Sequence, residues 1–156
     1  MLSDSVTLSS DGLQIMVTSL NEQLRRDEGE VLSAYTDSLG YLTIGVGRLI
    51  DKRRNGGITP EESSYLLNND IQRKTAEVFK ALPWVKDLDQ IRLNVLINMA
   101  FQMGIEGLMA FKNTLALIQG GNYDKAAENM ILSKWHSQTP ARCERLAKQM
   151  RTGVWQ

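Results

Sequence analysis

The sequence predicts an α+β fold that is mostly helical, built as one domain or as two small lobes sharing a helix. Three observations predict it. Tyr41-Leu42-Thr43-Ile44-Gly45-Val46-Gly47 is a β-branched and aromatic run with interleaved glycines, and it follows the turn-forming Asp37-Ser38-Leu39-Gly40. Thr59-Pro60-Glu61-Glu62 carries the cap, the first-turn proline and the acid of a helix start. Leu88, Ile91, Val95, Leu96, Met99, Ala100 and Met103 make a wide apolar stripe at helical spacing. A chain of 156 residues with 42% hydrophobic residues is long enough to bury a sizeable core around such a helix.

In chain order, residues 1–9 are polar and Ser-rich and read as a tail. Ser9-Ser10-Asp11 supplies a cap, after which Leu13, Met16, Val17, Leu20 and Leu24 follow helical spacing up to Glu28, with Gly29 as the stop. Residues 33–47 are expected to form the sheet. Leu49 to Gly57 then leads almost directly into a helix over about 59–82, with Leu66, Leu67, Ile71 and Val78 on its buried side and Pro83 as its terminator. The central buried helix is expected over 88–103, closed by Gly104. Two shorter helices follow, roughly 105–110 and 112–119. Gly120-Gly121 breaks the chain, and Asn122 caps a helix from 123 to about 132. Thr139-Pro140 opens a last helix that runs to Thr152 and stops at Gly153. There is no internal repeat.

Composition removes several function classes. Cys143 is the one cysteine, so no internal disulfide forms, and an inert structural thiol is expected in a helix. With His136 as the one histidine, one His and one Cys do not make a zinc site of three or four protein ligands, which argues against a zinc amidase or zinc endopeptidase. No cofactor is expected. The formal charge balances at zero, yet residues 133–156 carry Lys134, Arg142, Arg145, Lys148 and Arg151 against Glu144 alone. That flank suits a polyanionic polymer or simply a solvated helix face, and no nucleic-acid recognition motif accompanies it. No apolar run approaches the roughly 20 residues that span a bilayer, and no stable membrane association is expected. The N-terminus has an acid and no Lys or Arg, so it lacks the positive flank of a secretory signal.

The residues with the most chemical content lie between Arg26 and Arg48. Glu28 sits at the carbonyl end of a predicted helix, whose partial negative charge favours a protonated acid. A general acid must hold its proton near neutral pH. Asp37 sits in a hydrated turn suited to an ionised carboxylate, and Thr43, six residues on, offers a hydroxyl to hold a water. Two carboxylates in different environments are the raw material of glycoside hydrolysis. Spacing alone leaves this open against a pair of ordinary surface acids.

The string Glu28-Gly29, then Tyr35, Asp37 and Gly40-Tyr41-Leu42-Thr43-Ile44-Gly45-Val46-Gly47 resembles the catalytic segment of the phage-type lysozymes, the family of the T-even phage lysozyme. Asn98-Met99-Ala100-Phe101-Gln102-Met103-Gly104, Lys134-Trp135-His136-Ser137-Gln138-Thr139-Pro140 and Arg151-Thr152-Gly153-Val154-Trp155 resemble that family's later signatures, in the same order. The resemblance runs from about residue 18 to the end. It implies a lysozyme-like two-lobe fold. A small β lobe would span about 30–58, a connecting helix about 59–82 and a helical lobe about 83–156, with the N-terminal helix 10–28 packed on that lobe.

By the same resemblance, Glu28 is the acid, Asp37 the carboxylate and Thr43 the water-positioning threonine. Sugar contacts fall on Leu49, Phe101, Thr114 and Asn129, with Gln102 as a neighbour. Phe101 reads equally well as core, and Trp135 reads as structural. Arg142 matches an arginine that orients the acid and ties the lobes together, and Arg48 is expected to pair with Asp70. The implied activity is a muramidase that cleaves peptidoglycan between N-acetylmuramic acid and N-acetylglucosamine. A lytic transglycosylase-like cleavage and a non-catalytic wall-binding module are the alternatives. A monomer is expected, made in a host cytoplasm and acting on the wall after release. The chain departs from the T-even relative in its zero net charge and in its short segment 49–57, where that relative has a further helical excursion.

Overall fold

The computed structural model describes residues 20–156, and the chain separates into two compact units, residues 1–63 and 64–156. The expected tail, the Ser9-Ser10-Asp11 cap and the apolar positions Leu13, Met16 and Val17 lie outside the described residues. No single described helix is long and apolar enough to cross a membrane.

In the first unit, helix α1 is described over residues 20–28. Gly29 ends it with φ 76°, and its N–H donates to Arg25 O at 3.1 Å. A glycine meets this left-handed cap without the Cβ penalty that other residues carry. Three strands follow, β1 Val31–Thr36, β2 Leu42–Gly45 and β3 Arg48–Leu49, in the order β1-β2-β3 with both pairs antiparallel. Tyr35 pairs with Thr43, and Thr43 pairs in turn with Leu49. The sheet thus begins two residues earlier than the sequence suggested and gains a short third strand. The register slips between Val31 and Tyr35, an irregularity that increases local twist.

The short segment after β3 is ordered by its own polar groups. Asp51 caps a 3-10 turn over Lys52–Arg54, accepting the Arg53 N–H and the Arg53 guanidinium. Gly56 closes the loop with its N–H on Asp51 O at 3.1 Å, and a Cβ there would lie 2.2 Å from that oxygen. The Arg53 side chain first, and its backbone N–H second, pull the Asp51 carboxyl down from 3.8 to about 2. A depressed carboxylate stabilises the fold above its unfolded value and loses that contribution as pH falls through its folded value. The melting-temperature difference between the protein and Asp51→Asn should therefore be full above about pH 4 and shrink toward pH 2. Thermal melts at stepped pH check this.

Helix α2, Pro60–Ala81, opens with a reciprocal capping box. Glu62 N–H donates to Thr59 Oγ1 at 3.2 Å, and Thr59 N–H donates to Glu62 Oε2 at 2.9 Å. Thr59→Ala should lower stability by about 1 kcal/mol, read as a shift of the denaturation midpoint without a change of slope. The expected buried face of this helix needs correction. Val78 is buried, but Leu66, Leu67 and Ile71 are 50%, 48% and 40% exposed. The apolar cluster of the second unit takes up only the C-terminal part of α2, through Val78, Phe79 and Ala81.

The second unit is helical. After a 3-10 turn at Pro83–Asp87 come α3 Gln90–Met109, α4 Lys112–Gln119, α5 Tyr123–Ile131, α6 Lys134–Gln138 and α7 Pro140–Thr152. Helix α3 is the centre, with Val95, Leu96, Met99 and Ala100 fully buried. The valine, leucine and methionine side chains among these each contribute about 1.5–3 kcal/mol relative to exposure. Asp89 caps α3 by accepting from Arg92 N–H, so the helix starts two residues after Leu88. Gly104 breaks it with φ 76° and ψ 170°, a conformation open to glycine, and the helical turns after the break are the expected segment near 105–110. The short helix α6 was not anticipated, because its five residues carry no apolar period.

One arginine fastens three helices of this unit. Arg92 on α3 donates to Met150 O at 2.7 Å and to Arg151 O at 3.1 Å, both in the last turn of α7. Its guanidinium also lies 3.9 Å from the ring centroid of Tyr123 on α5. A cation on the last carbonyls complements the negative end of α7, and the ring face adds to the attraction.

Candidate active site

The local chemistry of the first unit gathers at Tyr41. Asp37 Oδ1 accepts the N–H of Leu39 at 2.9 Å and the N–H of Tyr41 at 2.8 Å. The Asp37 N–H donates back to Tyr41 O at 2.9 Å, and Thr43 Oγ1 donates to the same Tyr41 oxygen at 3.1 Å. The backbone of one residue therefore fixes both the carboxylate and the hydroxyl. This follows from the turn sequence, since an Asp at its start folds its side chain onto the amides ahead of it and Gly40 reverses the chain at φ 83°. One carboxylate oxygen thus carries both of these backbone contacts. Thr43 is buried, at 2% exposure, while Asp37 is half-buried.

Glu28 stands at the last residue of α1 and is exposed. Among the described residues its carboxylate makes no ion pair or hydrogen bond, whereas its neighbours are engaged, Arg25 with Glu30 and Arg26 with Asp27. Leu49 ends the sheet, half-buried on β3 opposite Thr43.

Arg48 and Asp70 belong to different units, and each takes a partner within its own. Arg48 makes a two-pronged contact with Glu62, at 3.1 and 2.8 Å, and Glu62 is also the acid of the α2 capping box. Asp70 pairs with Arg73 one turn along α2. Both contacts are exposed and contribute little to stability.

In the second unit the carried-over sugar contacts divide among three depressions. Thr114 and Asn129 line one of about 450 Å³ together with Phe111 and Ser133. Gln102 lines a second of about 340 Å³ with Phe111, Lys134 and Trp135. Its amide is held at both ends, accepting from Trp135 Nε1 at 3.0 Å and donating to Thr139 Oγ1 at 3.2 Å. Trp135 is buried and meets Phe111 edge-on at 6.1 Å, so its structural reading fits. Phe101 is 44% exposed and lines a third groove, of about 340 Å³, with Leu67, Ile71, Ile97 and Trp155. The structure therefore does not bring Phe101 together with Thr114 and Asn129.

Arg142 also borders that third groove, and its guanidinium holds Asn98, with Nε at 3.0 Å and Nη2 at 2.6 Å from Oδ1. Phe111, at the N-cap of α4, is common to two of the depressions.

The lone thiol is excluded from the chemistry. Cys143 is fully buried with its Sγ on Met130 O at 3.3 Å, and burial pushes it up to about 11. His136 lies 2.9 Å from Glu144 on the surface. Among the described residues no three His, Cys, Asp or Glu side chains are grouped to hold a metal ion.

Comparison with known proteins gives the same direction as these residues. The family model described as Phage lysozyme matches residues 25–151. The chain is 37% identical to "Probable T4-type lysozyme 1" of Dictyostelium discoideum, over 89% of this chain and 97% of that protein. It is 33% identical to the "Endolysin" of Salmonella phage P22, over 76% of this chain and 82% of that one. A third likeness, 34% identical, is to the "Pre-baseplate central spike protein Gp5" of Enterobacteria phage T4, and there the chain spans 28% of the larger protein. With a family model spanning most of its length and a near full-length relative, this chain belongs to the phage lysozyme family.

Proposed function

We propose that this protein is a peptidoglycan hydrolase, a muramidase that cleaves the β-1,4 bond between N-acetylmuramic acid and N-acetylglucosamine. The observation that carries the reading is the Asp37–Tyr41–Thr43 arrangement. Two backbone amides hold one oxygen of Asp37 while the Thr43 hydroxyl is tied to the same residue. A carboxylate fixed in this way, with a hydroxyl of fixed position on the neighbouring strand, is suited to orient one water and take its proton.

In the reaction, Glu28 gives its proton to the glycosidic oxygen as the bond to the anomeric carbon breaks. Water held by Asp37 and Thr43 attacks that carbon, and its proton passes to Asp37. The products are a reducing muramic acid and a glucosamine alcohol, so the atoms of one water are accounted for. Leu49, Phe101, Gln102, Thr114 and Asn129 supply apolar, amide and hydroxyl contacts of the kind a glycan takes. Support also comes from relatives called lysozyme, endolysin and, in Pseudomonas phage phiKMV, "Peptidoglycan hydrolase gp36".

The test is turbidity of a purified peptidoglycan suspension. Loss of turbidity with release of soluble fragments is the expected result. Sedimentation of the protein with the wall and no loss of turbidity would leave a binding module instead.

A further inference from the structure

Tyr41 is the shared support of the water-activating pair, so whatever fixes Tyr41 sets the geometry of both partners. Its backbone carries three of the hydrogen bonds that place Asp37 and Thr43. Its ring is covered from one side by the Arg53 guanidinium, 5.7 Å from the ring centroid. That distance lies within the range in which a cation is attracted to an aromatic face.

Arg53 reaches this position because its own loop is held. Asp51, whose side chain is 14% exposed, takes the Arg53 backbone N–H at 2.9 Å and the guanidinium Nε at 2.8 and 3.0 Å. Gly56 and Gly57 fasten the other end of the loop to Asp51 O and Leu49 O. The loop is thus a short brace running from β3 to the Tyr41 ring, built in the segment 49–57.

We propose that Arg53, held by Asp51, is a positioning residue that acts through the Tyr41 ring to keep Asp37 and Thr43 in the arrangement that activates water. The proposal rests on the reading that Asp37 activates the water. Arg53 touches no reacting atom in this account. Its removal lowers the fraction of molecules with the pair correctly set, and that loss is bounded by the strength of one exposed cation–ring contact.

The experiment is steady-state kinetics on soluble peptidoglycan fragments with Arg53→Met, Arg53→Lys, Tyr41→Leu and the Arg53→Met/Tyr41→Leu pair. Arg53→Met keeps the apolar stem and should lower kcat about threefold to fivefold with KM unchanged. Arg53→Lys restores a cation over the ring and should recover most of that loss. In the Tyr41→Leu background, where no ring face remains, Arg53→Met should change kcat by less than about twofold. Unchanged kcat in Arg53→Met would overturn the proposal. So would a loss confined to KM, a Lys variant no better than Met, or an undiminished effect without the ring.

Asp37→Asn is measured alongside to separate the two levels. If it keeps full activity, the reading of Asp37 fails and takes this proposal with it. If it is inactive while Arg53→Met matches the wild type, the proposal about Arg53 fails alone.

Discussion

Glu28→Gln should abolish wall hydrolysis, lowering kcat on peptidoglycan by about 10²–10⁴-fold. The substitution removes the one proton the leaving oxygen needs and keeps the size and polarity of the side chain. Stability should hardly change, because Glu28 is exposed at the end of α1 and makes no ion pair or hydrogen bond among the described residues. A circular-dichroism melt run beside the turbidity assay separates the two effects. A variant that melts like the wild type and leaves turbidity intact is the expected outcome. One that still clears the suspension at the wild-type rate would remove Glu28 from the mechanism.

Asp37→Asn is the second large effect, and its geometry makes it diagnostic. The oxygen that accepts from Leu39 and Tyr41 can be supplied by the amide carbonyl, so the turn should fold unchanged. The other position becomes an NH₂ group, which cannot take a proton from water. A drop in kcat of about 10²-fold or more, with the fold intact, is therefore expected. Amide exchange at Tyr41 should stay near the wild-type rate, which shows that the lost activity is chemical. If exchange and activity fell together, the effect would be structural.

The sequence carried much of this because the decisive signals are local. The α2 capping box, the Asp37–Gly40 turn, the Gly29 and Gly153 stops and the apolar face of α3 each depend on residues within a few positions of one another. Glu28, Asp37 and Thr43 are proposed from a resemblance carried by a motif within 16 consecutive residues, since their spacing alone does not separate them from surface acids. What was not legible depends on choices among partners. Arg48 takes the capping glutamate, 14 residues away and already ordered by Thr59. The apolar period of α2 gave no hint that Leu66, Leu67 and Ile71 would stay exposed, because periodicity says which residues share a face and not what covers it. Phe101 and Thr114 share a role by resemblance, yet they line different depressions, with the Gly104 break inside α3 lying between them in the chain.

If Asp37 places the attacking water, that water's oxygen ends up on the muramic acid. Digestion of purified peptidoglycan in ¹⁸O-labelled water, with mass spectrometry of the fragment ends, reads this out. Reducing muramic acid ends that carry one labelled oxygen are expected. Unlabelled anhydromuramic ends would contradict this role of Asp37, because the bond would then have been closed by the sugar's own hydroxyl and no water would have been activated.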